Sequence, residues 1–199
     1  DHADIGEGRV APADAGVDLL AAGDFQRRNF ALAREAAGAL LGRLDEAAVA
    51  AAAAETLVPG RFQTVGEAPV TVFDGAHNAA GMRVLAEALR DFLDGRPLVA
   101  CVSVLDDKDA AAMLGELLPL CAEVVFTQAT NPRALPAPTL LSLARQLGGP
   151  PARVIADPHD ALAAAREAAG PGGVALAAGS LYLIADLLRP RGAPRGSIL

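Results

Sequence analysis

From Val70 onward the chain alternates short apolar runs with longer stretches in which apolar residues recur every three or four positions. The runs fall at 70–74, 98–104, 122–127, 152–156 and 173–178, and the periodic stretches at 79–93, 108–118, 137–147, 158–169 and 180–188. Short β-rich runs suit strands, and the three-to-four spacing suits helices with one buried face. Leu98-Val99-Ala100-Cys101-Val102 has no polar position, as expected of a strand in a parallel sheet covered on both faces. Five strand–helix units in series predict an α/β fold, a Rossmann-like open, mostly parallel sheet with flanking helices and right-handed crossovers.

The first part of the chain follows another pattern. After a polar start, helices are expected at about 24–42 and 45–56, and Val58-Pro59-Gly60 then breaks the periodicity. A Pro-Gly pair between periodic segments marks a linker. A domain boundary is therefore expected there, with a helical segment over 1–58, the α/β domain over 59–188 and a mobile tail over 189–199, "RPRGAPRGSIL".

Composition narrows the class without naming a function. Of the 199 residues 52% are hydrophobic and 21% charged, an ordinary globular balance with enough chain to bury a core. Alanine runs such as Ala50 to Ala54 inflate the first figure, and the positive charge is almost all arginine, with Lys108 the one lysine. A net charge of -7 argues against a general nucleic-acid surface. Cys101 and Cys121 make no disulfide framework and fit reduced thiols in the cytoplasm. With the three histidines they also lack zinc-ligand spacing. No apolar run reaches the roughly 18 to 20 residues of a membrane span; the longest, Val174 to Leu188, is interrupted by Gly179, Ser180 and Asp186. The N-terminus has no signal-peptide pattern. It lacks a Met and begins in mid-pattern, so the chain is expected to be part of a longer one.

In an open parallel sheet ligands bind beyond the carboxyl ends of the strands. The loops predicted there read Asp74-Gly75-Ala76-His77-Asn78, Asp106-Asp107-Lys108-Asp109, Gln128 to Arg133, Asp157-Pro158-His159-Asp160 and Gly179-Ser180. In the first, Gly75 allows a tight exit, Asn78 suits a helix cap, and the helix start attracts anions. Asp74 can accept hydrogen bonds from hydroxyls or amines, and His77 can bind an anion or move a proton. Equally, Asp74 and Asn78 can simply cap the turn while His77 packs. Lys108 reads either as a positive charge aimed at an anionic substrate group or as a solvated partner of its acidic neighbours. Ser180 suits an N-cap, with or without a ligand carboxylate, and His159 reads as a surface or capping residue. Neither a G-x-G-x-x-G nor a Walker A loop occurs in the chain, which counts against a dinucleotide-dependent oxidoreductase.

Pro59-Gly60-Arg61-Phe62-Gln63 followed by Val72-Phe73-Asp74-Gly75-Ala76-His77-Asn78 resembles the C-terminal domain of folylpolyglutamate synthase / dihydrofolate synthase, a branch of the Mur ligase superfamily. "SVLDDKD" (103–109), "GSLYLIADLL" (179–188) and "GDFQRRNFALA" (23–33) extend the resemblance in the same order, the last being similar to the helix that ends the family's central ATPase domain. Gly75 favours the folate branch over other amino-acid ligases of the superfamily, such as muramyl-peptide or cyanophycin enzymes. The resemblance implies an ATP- and Mg2+-dependent ligase that joins L-glutamate to dihydropteroate or a folate polyglutamate through an acyl phosphate. It implies a monomer, with ATP bound by Asn29, Arg61 and Asp74 and the glutamate side lined by His77, Lys108 and Ser180, His77 being catalytic. The family often has Pro after the motif's Asn, where this chain has Ala79; proline there would only preorganise the first helical turn. The family's P-loop, catalytic lysine and magnesium ligands belong to an N-terminal domain that this sequence does not contain. Alone, the chain is therefore expected to be inactive as a ligase or to act only as a nucleotide-binding α/β module.

Overall fold

The strand at the middle of the sheet, Val174–Ala178, is buried at every residue and sets the frame for what surrounds it. The computed structural model describes residues 17–19, 24–56 and 58–192; the polar start and the tail beyond 192 lie outside the described residues. Two compact units result, Asp1–Val58 and Pro59–Leu199.

In the first unit, α1 (Asp24–Leu41) and α2 (Glu46–Glu55) are joined by a short turn. Gly42, at φ 77°, closes α1, and the Asp45 side chain opens α2 by accepting the Ala47 N–H at 2.9 Å. Arg34 on α1 pairs with Glu46 on α2, its Nη2 donating to both carboxylate oxygens at 2.9 and 2.8 Å.

The second unit runs β1 (Gln63–Glu67), β2 (Val70–Phe73), α3 (Ala79–Leu93), β3 (Leu98–Val102), α4 (Ala110–Leu117), β4 (Glu123–Phe126), α5 (Ala137–Gln146), β5 (Ala152–Val154), α6 (Pro158–Ala169), β6 (Val174–Ala178) and α7 (Leu181–Leu188). The six strands lie in the order β1-β2-β6-β3-β4-β5. Only β1 is antiparallel; β6 lies parallel between β2 and β3, with Val174 level with both Val70 and Leu98. The open, mostly parallel sheet with flanking helices is the predicted architecture. Strand β1 is the addition, because its Gln-Thr-Val-Gly-Glu is polar and half-exposed. An edge strand needs only one paired side and little burial, so the apolar pattern carries no trace of it.

Strands β2 to β5 are one or two residues shorter at their carboxyl ends than the apolar runs suggest, whereas β6 ends at Ala178 as expected. Val104 and Leu105 leave the sheet to pair with the loop after β4, Leu135 N–H donating to Val104 O at 2.8 Å and Leu105 bridging Ala134. Helix α4 starts two residues late, where Asp109 caps it by accepting the Ala112 N–H at 2.9 Å.

Handedness decides which face each helix covers. The connections β2 to β3, β3 to β4 and β4 to β5 all move the same way across the sheet, whereas β5 to β6 returns. Right-handed crossovers then put α3, α4 and α5 on one face and α6 on the other. Ala161, Ala165 and Ala169 of α6 and Leu183, Ile184 and Leu187 of α7 accordingly form one core cluster with Phe73, Val99, Cys101, Val125, Ala175 and Ala177. Alanines on α6 let that helix lie close to β3, β4 and β6. Leu176, fully buried on the central strand, cannot be shortened without leaving a void. Leu176→Ala is expected to lower the stability of this unit by about 2–5 kcal/mol, read as a fall in its urea midpoint at unchanged slope.

Candidate active site

Strand β2 ends where Asp74 donates its N–H to Ala177 O at 3.0 Å, one step beyond the ladder with β6. Its side chain then turns back into the protein. Oδ2 accepts the Phe62 N–H at 2.9 Å and Oδ1 accepts the Ala76 N–H at 2.8 Å. Two further bonds close the same knot, Gly75 N–H to Gly60 O at 2.7 Å and Gly60 N–H to Gln63 Oε1 at 3.0 Å. Phe62 is held at φ 46°, a left-handed conformation that is uncommon for a bulky residue and persists only where its surroundings fix it. Its ring meets Phe92 edge to face with centroids 5.2 Å apart. Arg61, partly exposed, thus lies on a peptide segment pinned on both sides.

Asp74 is only 4% exposed. Burial pushes its carboxyl above the ordinary value of 3.8, opposed by the Phe62 and Ala76 N–H bonds and, more weakly, by the charges of Arg61 and His77. Desolvation acts on the ionised form and amide donors favour it, so the sign of the shift says that burial wins.

His77 Nδ1 lies 2.8 Å from Gly75 O. A carbonyl only accepts, so Nδ1 carries the proton and Nε2 is the nitrogen left for chemistry. Asn78 caps α3 through the Gly81 N–H at 2.7 Å, and Ser180 caps α7 through the Tyr182 N–H at 3.1 Å. Both caps satisfy donors that a helix start otherwise leaves open. The two loops touch. A Cβ at Gly75 would run into Leu181 Cδ2, and one at Gly60 would come 2.8 Å from Ile184 Cγ2. At Gly179, φ 100°, a Cβ would come 2.5 Å from Ser103 O. The structure thereby gathers Arg61, Asp74, His77 and Ser180 around the adjoining ends of β2 and β6.

Lys108 sits further along the edge in an ion cluster. Its Nζ is 2.9 Å from Asp107 Oδ2, which Arg133 also reaches at 2.6 Å, and Arg133 lies 3.7 Å from Asp106. The hydrogen bond from Lys108, and then Arg133, hold the Asp107 carboxyl below the ordinary range. Asn29, on α1 of the other unit, donates to Gln26 Oε1 at 3.1 Å. Gln63 and Ser103 are positioning residues that the motif reading left without a role. Ser103 Oγ, fully buried, accepts the Ala129 N–H at 3.0 Å and ties the end of β3 to the loop after β4. The signal available in the chain was their place, a polar residue directly beside a strand end.

Two outcomes follow from this geometry. Gly179→Ala is expected to cost about 1–3 kcal/mol, because backbone blocks the new methyl. Gly75→Ala is expected to cost less, because it meets the far end of an exposed leucine; thermal unfolding of both variants checks the order. For Asp74, a raised folded-state pKa means that its stabilising contribution is full below 3.8 and is lost as pH rises through the raised value. The stability advantage of wild type over Asp74→Asn is expected to shrink as pH rises above 3.8 and then level off. An advantage that grows with pH would show that the two amide donors outweigh burial.

The same stretch of chain stands out in known proteins. A family model described as "Mur ligase, glutamate ligase domain" matches residues 60–181, from the pinned turn to the start of α7. The dihydrofolate synthase/folylpolyglutamate synthase of Mycobacterium tuberculosis is 38% identical over 133 residues, 64% of this chain and 27% of that protein. A UDP-N-acetylmuramoyl-L-alanyl-D-glutamate–2,6-diaminopimelate ligase of Corynebacterium efficiens is 31% identical over 185 residues, 86% of this chain and 35% of that protein. Among solved structures, the Mycobacterium tuberculosis folylpolyglutamate synthase complexed with ADP and AMPPCP superposes with a TM-score of 0.77 at 34% identity, covering 84% of this chain and 40% of that one. The FolC of E. coli in complex with DHPP and ADP gives 0.73 at 27% identity, covering 85% and 39%. The chain thus spans well under half the length of these relatives. With the matched segment holding the whole Arg61–Asp74–His77–Ser180 edge, the chain belongs to the Mur ligase family and carries its glutamate ligase domain.

Proposed function

We propose that this chain is the glutamate-ligase part of an ATP-dependent enzyme that adds L-glutamate to dihydropteroate or to a folate polyglutamate. The observation that carries the reading is the Asp74-centred knot, which holds the Arg61 turn and the His77 loop together at the adjoining ends of β2 and β6. A guanidinium pairs bidentately with phosphate oxygens, so Arg61 suits the nucleotide. Asp74 spends both carboxylate oxygens on backbone donors and has one further lone pair on each for a ribose hydroxyl. By the same resemblance Asn29, in the helical unit, is a further candidate for a nucleotide contact.

In the reaction the glutamate amine attacks the carbonyl carbon of an acyl phosphate; the C–N bond forms, the C–O bond to phosphate breaks, and phosphate leaves. The proton lost by the amine goes to a base. His77 would take that role, a reading supported by the Gly75 carbonyl, which holds the Nδ1 proton and leaves Nε2 as the acceptor. Ser180 and Lys108 would hold the glutamate carboxylates, Lys108 after exchanging its partner Asp107.

Among the described residues no three His, Cys, Asp or Glu side chains converge as a metal site. Following the family resemblance, we assign the magnesium ligands and the phosphate-transfer groups to an N-terminal domain of a longer protein, which would act as a monomer in the cytoplasm. Among the described residues no helix is long and apolar enough to cross a membrane. A second reading is kept by the Corynebacterium efficiens relative, an amino-acid ligase of the same family acting on a muramyl peptide.

The test uses the full-length protein containing this chain and follows glutamate-dependent ADP release with dihydropteroate, tetrahydrofolate and a muramyl dipeptide substrate. Release with either pterin substrate is expected, and Arg61→Ala is expected to lower kcat/KM on the order of 10²-fold, the scale of one lost charge-stabilising donor. Release only with the muramyl substrate would transfer the assignment to the second reading.

A further inference from the structure

The topology that opens a crevice between β2 and β6 opens another between β4 and β5. Crevices form where neighbouring strands send their connections to opposite faces. Strand β4 leads into α5 on one face and β5 into α6 on the other. At that point lies a cavity of about 370 Å³, within the small-ligand range, lined by Thr130, Asp157, Pro158, His159, Asp186 and residues 189–192. Nothing in the proposed reaction uses it.

Its acidic groups are already occupied. The Asp186 side chain, 10% exposed, accepts the Thr130 N–H at 2.8 Å and its hydroxyl at 2.7 Å. Asp157 caps α6 by accepting the Asp160 N–H at 3.0 Å. The basic groups are not filled in the same way. Arg189 stands 3.7 Å from Asp186, beyond hydrogen-bond distance, and Arg191 gives Nη2 alone to Asp160 at 2.6 Å. A guanidinium has five donors, so most of this capacity is uncommitted. His159 adds an imidazole from the first turn of α6.

We infer that the β4/β5 crevice is a second binding site, which takes a carboxylate group between Arg189, Arg191 and His159. A single carboxylate matches the planar fork of a guanidinium. A triphosphate or a nucleic-acid backbone would concentrate adjacent negative charges against Asp157, Asp160 and Asp186, whereas a γ-glutamyl chain presents its carboxylates singly along its length. The carboxylate has two possible sources, a free small dicarboxylate or the side chain of a γ-linked glutamyl chain. The second source rests on the folate-polyglutamate reading. Three strand spacings, about 14 Å, separate this crevice from the one between β2 and β6, a span within reach of a short γ-linked chain, whose residues each extend beyond the roughly 3.3–3.6 Å of an α-linked one.

Isothermal titration of the full-length protein, without ATP and with no turnover, tests the site with tetra-γ-L-glutamate and with glutarate. Binding is expected to weaken about tenfold in each of Arg189→Gln and Arg191→Gln, as for the loss of a charge-assisted hydrogen bond, to fall with added salt, and to survive Arg61→Ala. Both arginines are exposed, and circular dichroism of each variant confirms that it is folded. Much tighter binding of the tetrapeptide makes the glutamyl chain the source, and equal binding makes it a free carboxylate; either upholds the site. No binding of either probe, or binding that ignores both arginine substitutions, overturns it. A protein that binds but never releases ADP would refute the ligase reading and leave this site standing.

Discussion

One buried carboxylate holds the candidate site together. Asp74 accepts two backbone N–H groups, one from the turn before β1 and one from the loop after β2, and so ties off the end of the β1–β2 ladder where Gln63 pairs with Phe73. Both donors would otherwise be open amides at the end of a sheet, and an open buried donor costs about 1–3 kcal/mol. Meeting them with one ionisable group exacts its own cost, seen in the upward shift of the Asp74 carboxyl. The left-handed Phe62, the orientation of Arg61 and the approach of Gly75 to α7 all follow from that clamp.

Polar residues along the carboxyl edge divide into two kinds once their partners are known. Asn78, Asp109, Asp157 and Ser180 each cap the helix that follows. Their presence after strands is required by helix physics whether or not a ligand binds. Arg61 and His77 are different in kind, since neither caps a helix: Arg61 lies on the turn closed by Asp74, and His77 is tied through Nδ1 to the Gly75 carbonyl. Lys108 falls between, its charge matched by Asp107 and shared with Arg133. Surface pairs of that sort contribute little to stability.

Much of this was written in the chain. The unbroken apolar run at 98–102, the helix-period stretches and the Pro-Gly break specify the strands, the helices and a parallel sheet, since each depends on residues within a turn or a strand length. Asp74-Gly75-Ala76-His77-Asn78 declared a tight exit and a helix cap for the same reason. Strand β1, polar and at an edge, left no such mark.

Convergence could not be read locally. Arg61, Asp74 and Ser180 meet because β6 inserts between β2 and β3, placing Ala177 against Phe73 across a hundred residues of chain. The crevice between β4 and β5 likewise exists only because the last crossover reverses direction. The sequence by itself determined which elements form and how each begins, through side-chain periodicity and capping chemistry. The tertiary structure alone decided which loops share a crevice and that Asp74 faces inward to the backbone, because strand order and handedness are properties of the packed sheet.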